Sequence, residues 1–113
     1  MFQQTYPWQQ DFNPSEPPSI RYAYNISNRS VLLHWDDPPE STLHGPLVAY
    51  RIVARGLQSH ARRMEYFFLV PEERTFTLNG LQPYSKYLIT LEAFNEEGFS
   101  PPSKLMILTD EGG

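Results

Sequence analysis

No stretch of this chain runs far enough between breakers to form a helix with one buried face. The interruptions are Asn28, Asp37-Pro38-Pro39 with Gly45-Pro46, Gly56, Pro71-Glu72-Glu73, Asn79-Gly80, and Glu96-Glu97-Gly98 with Pro101-Pro102. Each combines residues that favour turns and cut a continuous hydrogen-bonded element. Between them lie seven short runs rich in β-branched and aromatic residues: Ile20–Ile26, Ser30–Asp36, Leu47–Arg55, Arg62–Val70, Arg74–Leu78, Lys86–Phe94 and Lys104–Thr109. Short runs of this kind bounded by turn residues predict an all-β chain with seven strands.

Alternation assigns the faces of most runs. Val31, Leu33 and Trp35 share one parity of the second run, and Trp35 is too large and apolar to be left in water, so that parity faces a core. Tyr50, Ile52 and Ala54 alternate with Arg51, Val53 and Arg55 in the third, and Tyr87, Ile89, Leu91 and Ala93 with Leu88, Thr90, Glu92 and Phe94 in the sixth. Adding Phe76, Leu78 and Leu81 completes one predicted core. The fourth run, RRMEYFFLV, is apolar on both parities, and alternation alone does not orient it. We take Tyr66 and Phe68 as outward, with Phe67 and Leu69 as the substitutes if the strand faces the other way.

One domain is the natural count for 113 residues. A chain of this size can bury about two thirds of its surface, enough to fold without staples. With no cysteine, disulfide scaffolds, zinc ribbons and thiol chemistry are excluded. The net charge of −4 and the scattered basic residues give no reason to expect nucleic acid, whose binding needs clustered Lys and Arg. No window approaches the 18 or so apolar residues that span a bilayer, and the N-terminus has no basic region followed by an apolar core. Direct membrane insertion is therefore not expected, and the chain is either cytosolic or a fragment of a larger protein. Residues 1–16, rich in Gln, Pro and aromatics without periodicity, are expected to be a linker or arm. Residues 17–110 form the domain and 111–113 a tail.

The strings SVLLHWDDPP, GPLVAYRIV and TFTLNGLQPYSKYLITLEAFNEEGFSPPS resemble a fibronectin type III domain. The most specific segment is Leu81-Gln82-Pro83 followed by Tyr87 and ending at Ala93-Phe94-Asn95. The resemblance implies an immunoglobulin-like sandwich, a three-stranded sheet packed on a four-stranded one with Greek-key connections. It also implies structural roles for Trp35, Tyr50, Leu81, Pro83 and Tyr87, the last as a corner whose hydroxyl bonds backbone near Leu81 or Gln82. The family serves both cell-surface receptors and cytoplasmic muscle scaffolds. Neither an Arg-Gly-Asp tripeptide before the last strand nor a Trp-Ser-x-Trp-Ser box is present.

Chemistry-bearing constellations are few. His34, His44 and His60 lack the close spacing of metal ligands. The pairs Asp36-Asp37, Glu72-Glu73 and Glu96-Glu97 lack a calcium-loop pattern, and no nucleophile sits in a catalytic motif. No cofactor, metal or enzymatic activity is expected. Two N-x-S acceptors, Asn25-Ile26-Ser27 and Asn28-Arg29-Ser30, are candidate glycosylation sites and favour an extracellular chain. The expected function is that of a spacer and protein-contact module in a receptor or adhesion protein. An intracellular scaffold repeat and an accessory domain of a larger enzyme are the alternatives. The expected contact face is the outer side of the sheet carrying the third, fourth and sixth strands, through Arg51, Val53, Tyr66, Phe68, Leu88 and Phe94, rimmed by Arg55, Arg62 and Arg63. The competing expectation is that residues 1–16, with Tyr6 and Trp8, cover this face. The partner is a protein or a neighbouring domain, and the oligomeric state is open.

Overall fold

The computed structural model describes residues 12–58, 63–68 and 72–110. In chain order these form β1 (Ser19–Ser27), β2 (Ser30–Asp36), a single 3-10 turn (Glu40–Thr42), β3 (Ala49–Gly56), β4 (Arg63–Phe68), β5 (Thr75–Leu78), β6 (Lys86–Asn95), β7 (Gly98–Phe99) and β8 (Ser103–Leu108). All pairings are antiparallel. One sheet has the order β1-β2-β5; in the other β4 pairs β3, β3 pairs β6, and both β7 and β8 pair the far edge of β6. The chain crosses between the sheets at the β2–β3, β4–β5 and β5–β6 connections.

Among the described residues the sandwich therefore has eight strands in sheets of three and five, where seven in sheets of three and four were expected. The cause is local. Phe94 opposes Phe99, whereas Leu91 opposes Ser103, so three steps along β6 match four along its partner and one residue bulges. Pro101 and Pro102 have no N–H to give the ladder. Ser100 bridges the gap: its N–H donates to the Ala93 carbonyl at 2.8 Å, and its Oγ accepts the Ala93 N–H at 3.0 Å. The last edge strand is thus cut in two, and Gly98, read as a breaker, begins its first piece.

Period-2 alternation builds the core. Val31, Leu33 and Trp35 from β2, Tyr50, Ile52 and Ala54 from β3, and Tyr87, Ile89, Leu91 and Ala93 from β6 are buried together with Leu78 and Leu81. Phe76, expected inside, is half-buried on the short edge strand β5, where its ring packs 4.9 Å from that of Tyr66. In β1 a bulge between Ile20 and Tyr22 lets both Ile20 and Ala23 pair with core positions of β2 despite their odd spacing. Tyr22 and Tyr24 then project outward, where Tyr22 stacks on Tyr24 at 5.3 Å and on His34 at 4.9 Å.

The β3–β4 register orients the fourth run. Ile52 opposes Tyr66 and Ala54 opposes Met64. Because those β3 residues are in the core, Met64 and Tyr66 pack against it and Phe67 lies outside. The outward assignment of Tyr66 is thereby corrected. Phe68 opposes Tyr50, on the parity of Tyr66; its side chain, like Leu69, Arg62 and His60, lies outside the described residues.

One end of the sandwich is tied by polar side chains. Asn95 is 1 % exposed. Its Nδ2 donates to the carbonyls of Phe12 (2.6 Å) and Leu43 (2.9 Å), and its Oδ1 accepts the N–H groups of Glu97 (2.8 Å) and Gly98 (3.1 Å). Asn13 Nδ2 donates to the Phe99 carbonyl at 2.8 Å, the Ser15 N–H donates to the Thr42 carbonyl at 3.0 Å, and Pro14 is buried. Residues 12–15, assigned from sequence to a linker or arm, are thus bonded onto the β2–β3 loop and the β6–β7 hairpin. Residues 1–11 of the arm, with Tyr6 and Trp8, lie outside the described residues.

Candidate functional site

Outward parity of β4, β3, β6, β7 and β8 gathers one face. At the end beside Asn95, the rings of Phe67, Phe94 and Phe99 lie 4.7–6.2 Å apart and the Arg51 guanidinium sits 3.9 Å over the Phe99 ring, a cation–π contact. Arg51 is held there by Glu92, with Nη2 2.7 Å and Nε 2.8 Å from Oε1, and by Glu65 at 3.9 Å. Beneath this row, Val53 is buried at 7 % exposure between Glu65 and Thr90 in the register.

The other half of the face is basic and apolar. Arg55 stands directly opposite Arg63 on β4 and Leu88 on β6, and Leu88 in turn opposes Met106. Like charges directly opposed on a strand pair destabilise the sheet, and only Arg63 has relief, from Glu65 at 2.9 Å. Lys86 and Lys104 share the outward parity of β6 and β8 and, with Arg55, make no ion pair among the described residues. Among the described residues the face thus carries five cations, Arg51, Arg55, Arg63, Lys86 and Lys104, against two carboxylates, Glu65 and Glu92, in a chain whose net charge is −4. Exposed apolar side chains lie among them: Phe67, Met106 and Leu108.

Of the residues predicted for this face, Arg51, Val53, Leu88 and Phe94 stand on it and Tyr66 does not. Phe67, the substitute, does. Phe99, Lys104 and Met106 were missed. Phe99 sits in a segment read as a turn, and the last strand's outward parity carried no signal until its partner was known.

The structural residues are placed by distinct bonds. The Tyr87 hydroxyl accepts the Gln82 N–H at 2.8 Å, and Leu81 is buried while Pro83 is half-buried. Tyr87→Phe removes the oxygen alone and strands that N–H, so it is expected to lower stability by about 1–3 kcal/mol; chemical denaturation at neutral pH measures it, and an unchanged midpoint excludes the corner's energetic role. Near Trp35, the Tyr50 hydroxyl donates to Asp37, which also takes a two-pronged contact from Arg74, 3.0 Å from Nε and 2.8 Å from Nη2. Burial raises the Tyr50 pKa, and the bond to Asp37 raises it further. For Asp37, burial pushes upward, but the bonds to Arg74 and Tyr50 and the Arg74 charge outweigh it and hold the carboxyl below its ordinary value. The group braces the end of β2 against the start of β5.

The two candidate glycosylation sites differ. Asn25 opposes the core residue Val31, and its Nδ2 donates to the Leu108 carbonyl at 3.2 Å and to Asp110 Oδ1 at 3.1 Å. Asn28 lies in the β1–β2 turn, partly exposed, and its side chain makes no hydrogen bond among the described residues. No three His, Asp or Glu side chains converge on a metal-sized site among the described residues.

The sequence matches the profile of the fibronectin type III domain over residues 15–108. The chain belongs to the fibronectin type III family. It is 32 % identical over 101 residues to the receptor-type tyrosine-protein phosphatase mosPTP-1 of Aedes aegypti, a match covering 88 % of this chain and 8 % of that protein. It is 25 % identical over 95 residues to the cell adhesion molecule DSCAML1 of Gallus gallus, covering 84 % and 5 %. Among solved structures, the third fibronectin III domain of the human KIAA0343 protein superposes with a TM-score of 0.80 at 24 % identity, over 99 % of this chain and 94 % of that one. This fibronectin type III domain spans less than a tenth of either relative's length, and the family is a non-catalytic module. Its relatives include multidomain receptors and adhesion proteins.

Proposed function

We propose that this fibronectin type III domain is a protein-contact module in the extracellular part of a receptor or adhesion protein, binding an acidic protein surface through the outer face of its five-stranded sheet. The observation that carries this reading is the charge separation: five cations against two carboxylates among the described residues of one sheet face, in a chain that is acidic overall. Three of those cations have no partner ion pair among the described residues, and opposed Arg55 and Arg63 are a local cost that an acidic partner would offset. Arg and aromatic side chains on strands supply contact area with little ordering cost. The mixture of Phe67, Met106 and Leu88 with the cations fits a protein surface rather than a bare polyanion.

The test uses the chain, multimerised, against an array of purified receptor and adhesion ectodomains. Partners found there are re-measured with the double variant Arg55→Glu/Lys104→Glu and with Arg21→Glu, which changes an exposed charge on the opposite sheet. The double variant is expected to weaken binding at least about tenfold, roughly 1.4 kcal/mol, and to lower the association rate and its salt dependence. Binding unaffected by the double variant, or weakened equally by Arg21→Glu, removes the face from the function.

A further inference from the structure

We infer that Asn28 is an N-glycan attachment site and that Asn25, three residues earlier in an equally valid acceptor tripeptide, is not. Acceptor tripeptides alone do not separate the two; their surroundings do. A glycosylated asparagine keeps one N–H on its amide nitrogen and must project the sugar into solvent. Both N–H groups of Asn25 are committed, to the Leu108 carbonyl and the Asp110 carboxylate, and its Oδ1 is enclosed. The side chain closes a cleft between β1 and β8 that is lined by Ala23, Val31, Leu105 and Ile107. A sugar there breaks at least one of those bonds and wedges the two sheets apart, so a chain glycosylated at Asn25 loses side-chain bonds that tie the end of β8 to β1. Asn28 has neither constraint. It sits in the two-residue turn joining β1 and β2, whose backbone is held without its help: the Arg29 N–H donates to Ser27 Oγ at 3.2 Å and the Arg29 carbonyl accepts the Leu81 N–H at 3.0 Å. A glycan at this turn projects from the three-stranded sheet and leaves the outer face of the five-stranded sheet open.

In the transfer, Asn28 Nδ2 forms a bond to the anomeric carbon of a lipid-pyrophosphate-linked oligosaccharide. The bond from that carbon to the pyrophosphate breaks, the lipid pyrophosphate leaves, and one amide proton passes to base. The inference concerns a different surface from the proposed contact face and is tested independently of it. The chain is expressed behind an added secretion signal in a eukaryotic cell, which imposes the secretory route whatever the natural location. Secreted protein is then treated with peptide N-glycosidase in 18O water, and labelled aspartate is located by mass spectrometry. The expected result is label at position 28 and none at 25, complete loss of the glycan in Asn28→Gln, and its retention in Asn25→Gln. Because Asn25→Gln also disturbs the bonds to β8, Ser27→Ala serves as a second variant: it removes the first acceptor tripeptide while leaving the Asn25 side chain in place, costs the turn the Arg29 N–H bond to Ser27 Oγ but keeps the Leu81 bond to the Arg29 carbonyl, and the glycan is again retained. Label at position 25 in the secreted wild-type chain, or an unglycosylated Asn28, overturns the inference and leaves the contact-face reading untouched.

Discussion

Trp35→Ala is expected to lower the unfolding free energy by about 3–5 kcal/mol, the range for a large aromatic truncated in a packed core. A domain of this size has only about 5–15 kcal/mol in total, so the variant stands at or near the edge of folding at physiological temperature. Trp35 is 1 % exposed and meets the Tyr50 ring edge-on at 5.3 Å. The cavity has little freedom to collapse, because Tyr50 is itself pinned: its hydroxyl is bonded to Asp37, and Asp37 is gripped by Arg74. A poorly relaxing site places the loss toward the upper part of the range. Urea denaturation at 25 °C measures it, and Trp35→Phe, which keeps most of the apolar volume, is expected to recover a substantial part. An unfolding midpoint indistinguishable from wild type would show that Trp35 does not anchor the core.

The second large effect is expected at Asn95. Its four hydrogen bonds join the incoming chain, the β2–β3 loop and the β6–β7 turn, and none is exposed enough for water to replace it freely. Asn95→Ala strands two carbonyls and two N–H groups. At about 0.5–1.5 kcal/mol net for each bond, partly recovered where the ends re-solvate, the expected loss is about 2–4 kcal/mol. Amide hydrogen exchange localises the loss. In Asn95→Ala both Ser15, bonded to Thr42, and the turn amide Gly98 lose protection, while β3 and the middle of β6 exchange only through global unfolding. Asn95→Asp keeps the two acceptor bonds and gives up both donors, so Gly98 retains protection and Ser15 does not. Unchanged Ser15 exchange in both variants would mean that the incoming chain is held by Asn13 and Pro14 alone.

How far the sequence predicts each part follows from what the part depends on. β2, β3 and β6 were legible because each alternates cleanly between apolar and polar residues, and a strand's two faces are set by its own residues. β4 was not, because Met64, Tyr66 and Phe67 leave both parities apolar; only its hydrogen-bonded register against Ile52 and Ala54 chooses which side is buried. The Ile20–Ala23 spacing and the division of the last strand were hidden for a related reason, since a bulge is a property of a pair of strands. The Tyr87 corner could be expected from a resemblance whose partner residue lies five positions away. The Asn95 clamp could not, because its partners lie 52 and 83 residues distant.

The sequence by itself determined that the chain is all-β, which residues of three strands face the core, and that thiol chemistry is closed to a chain without cysteine. Only the tertiary structure decided the surface. Arg51, Arg55, Arg63, Lys86 and Lys104 are scattered over more than fifty positions of an acidic chain, and nothing in their spacing marks them as a group. They become one basic face because β4, β3, β6 and β8 lie side by side with the same parity turned outward, so residues far apart in the chain stand on neighbouring strands about 4.8 Å apart. Likewise, two N-x-S acceptor tripeptides three residues apart differ in their surroundings because one asparagine meets β8 and the other stands at a turn. Side-chain alternation is a local property, whereas neighbours on a sheet are chosen by the hydrogen bonds of strands that close the fold.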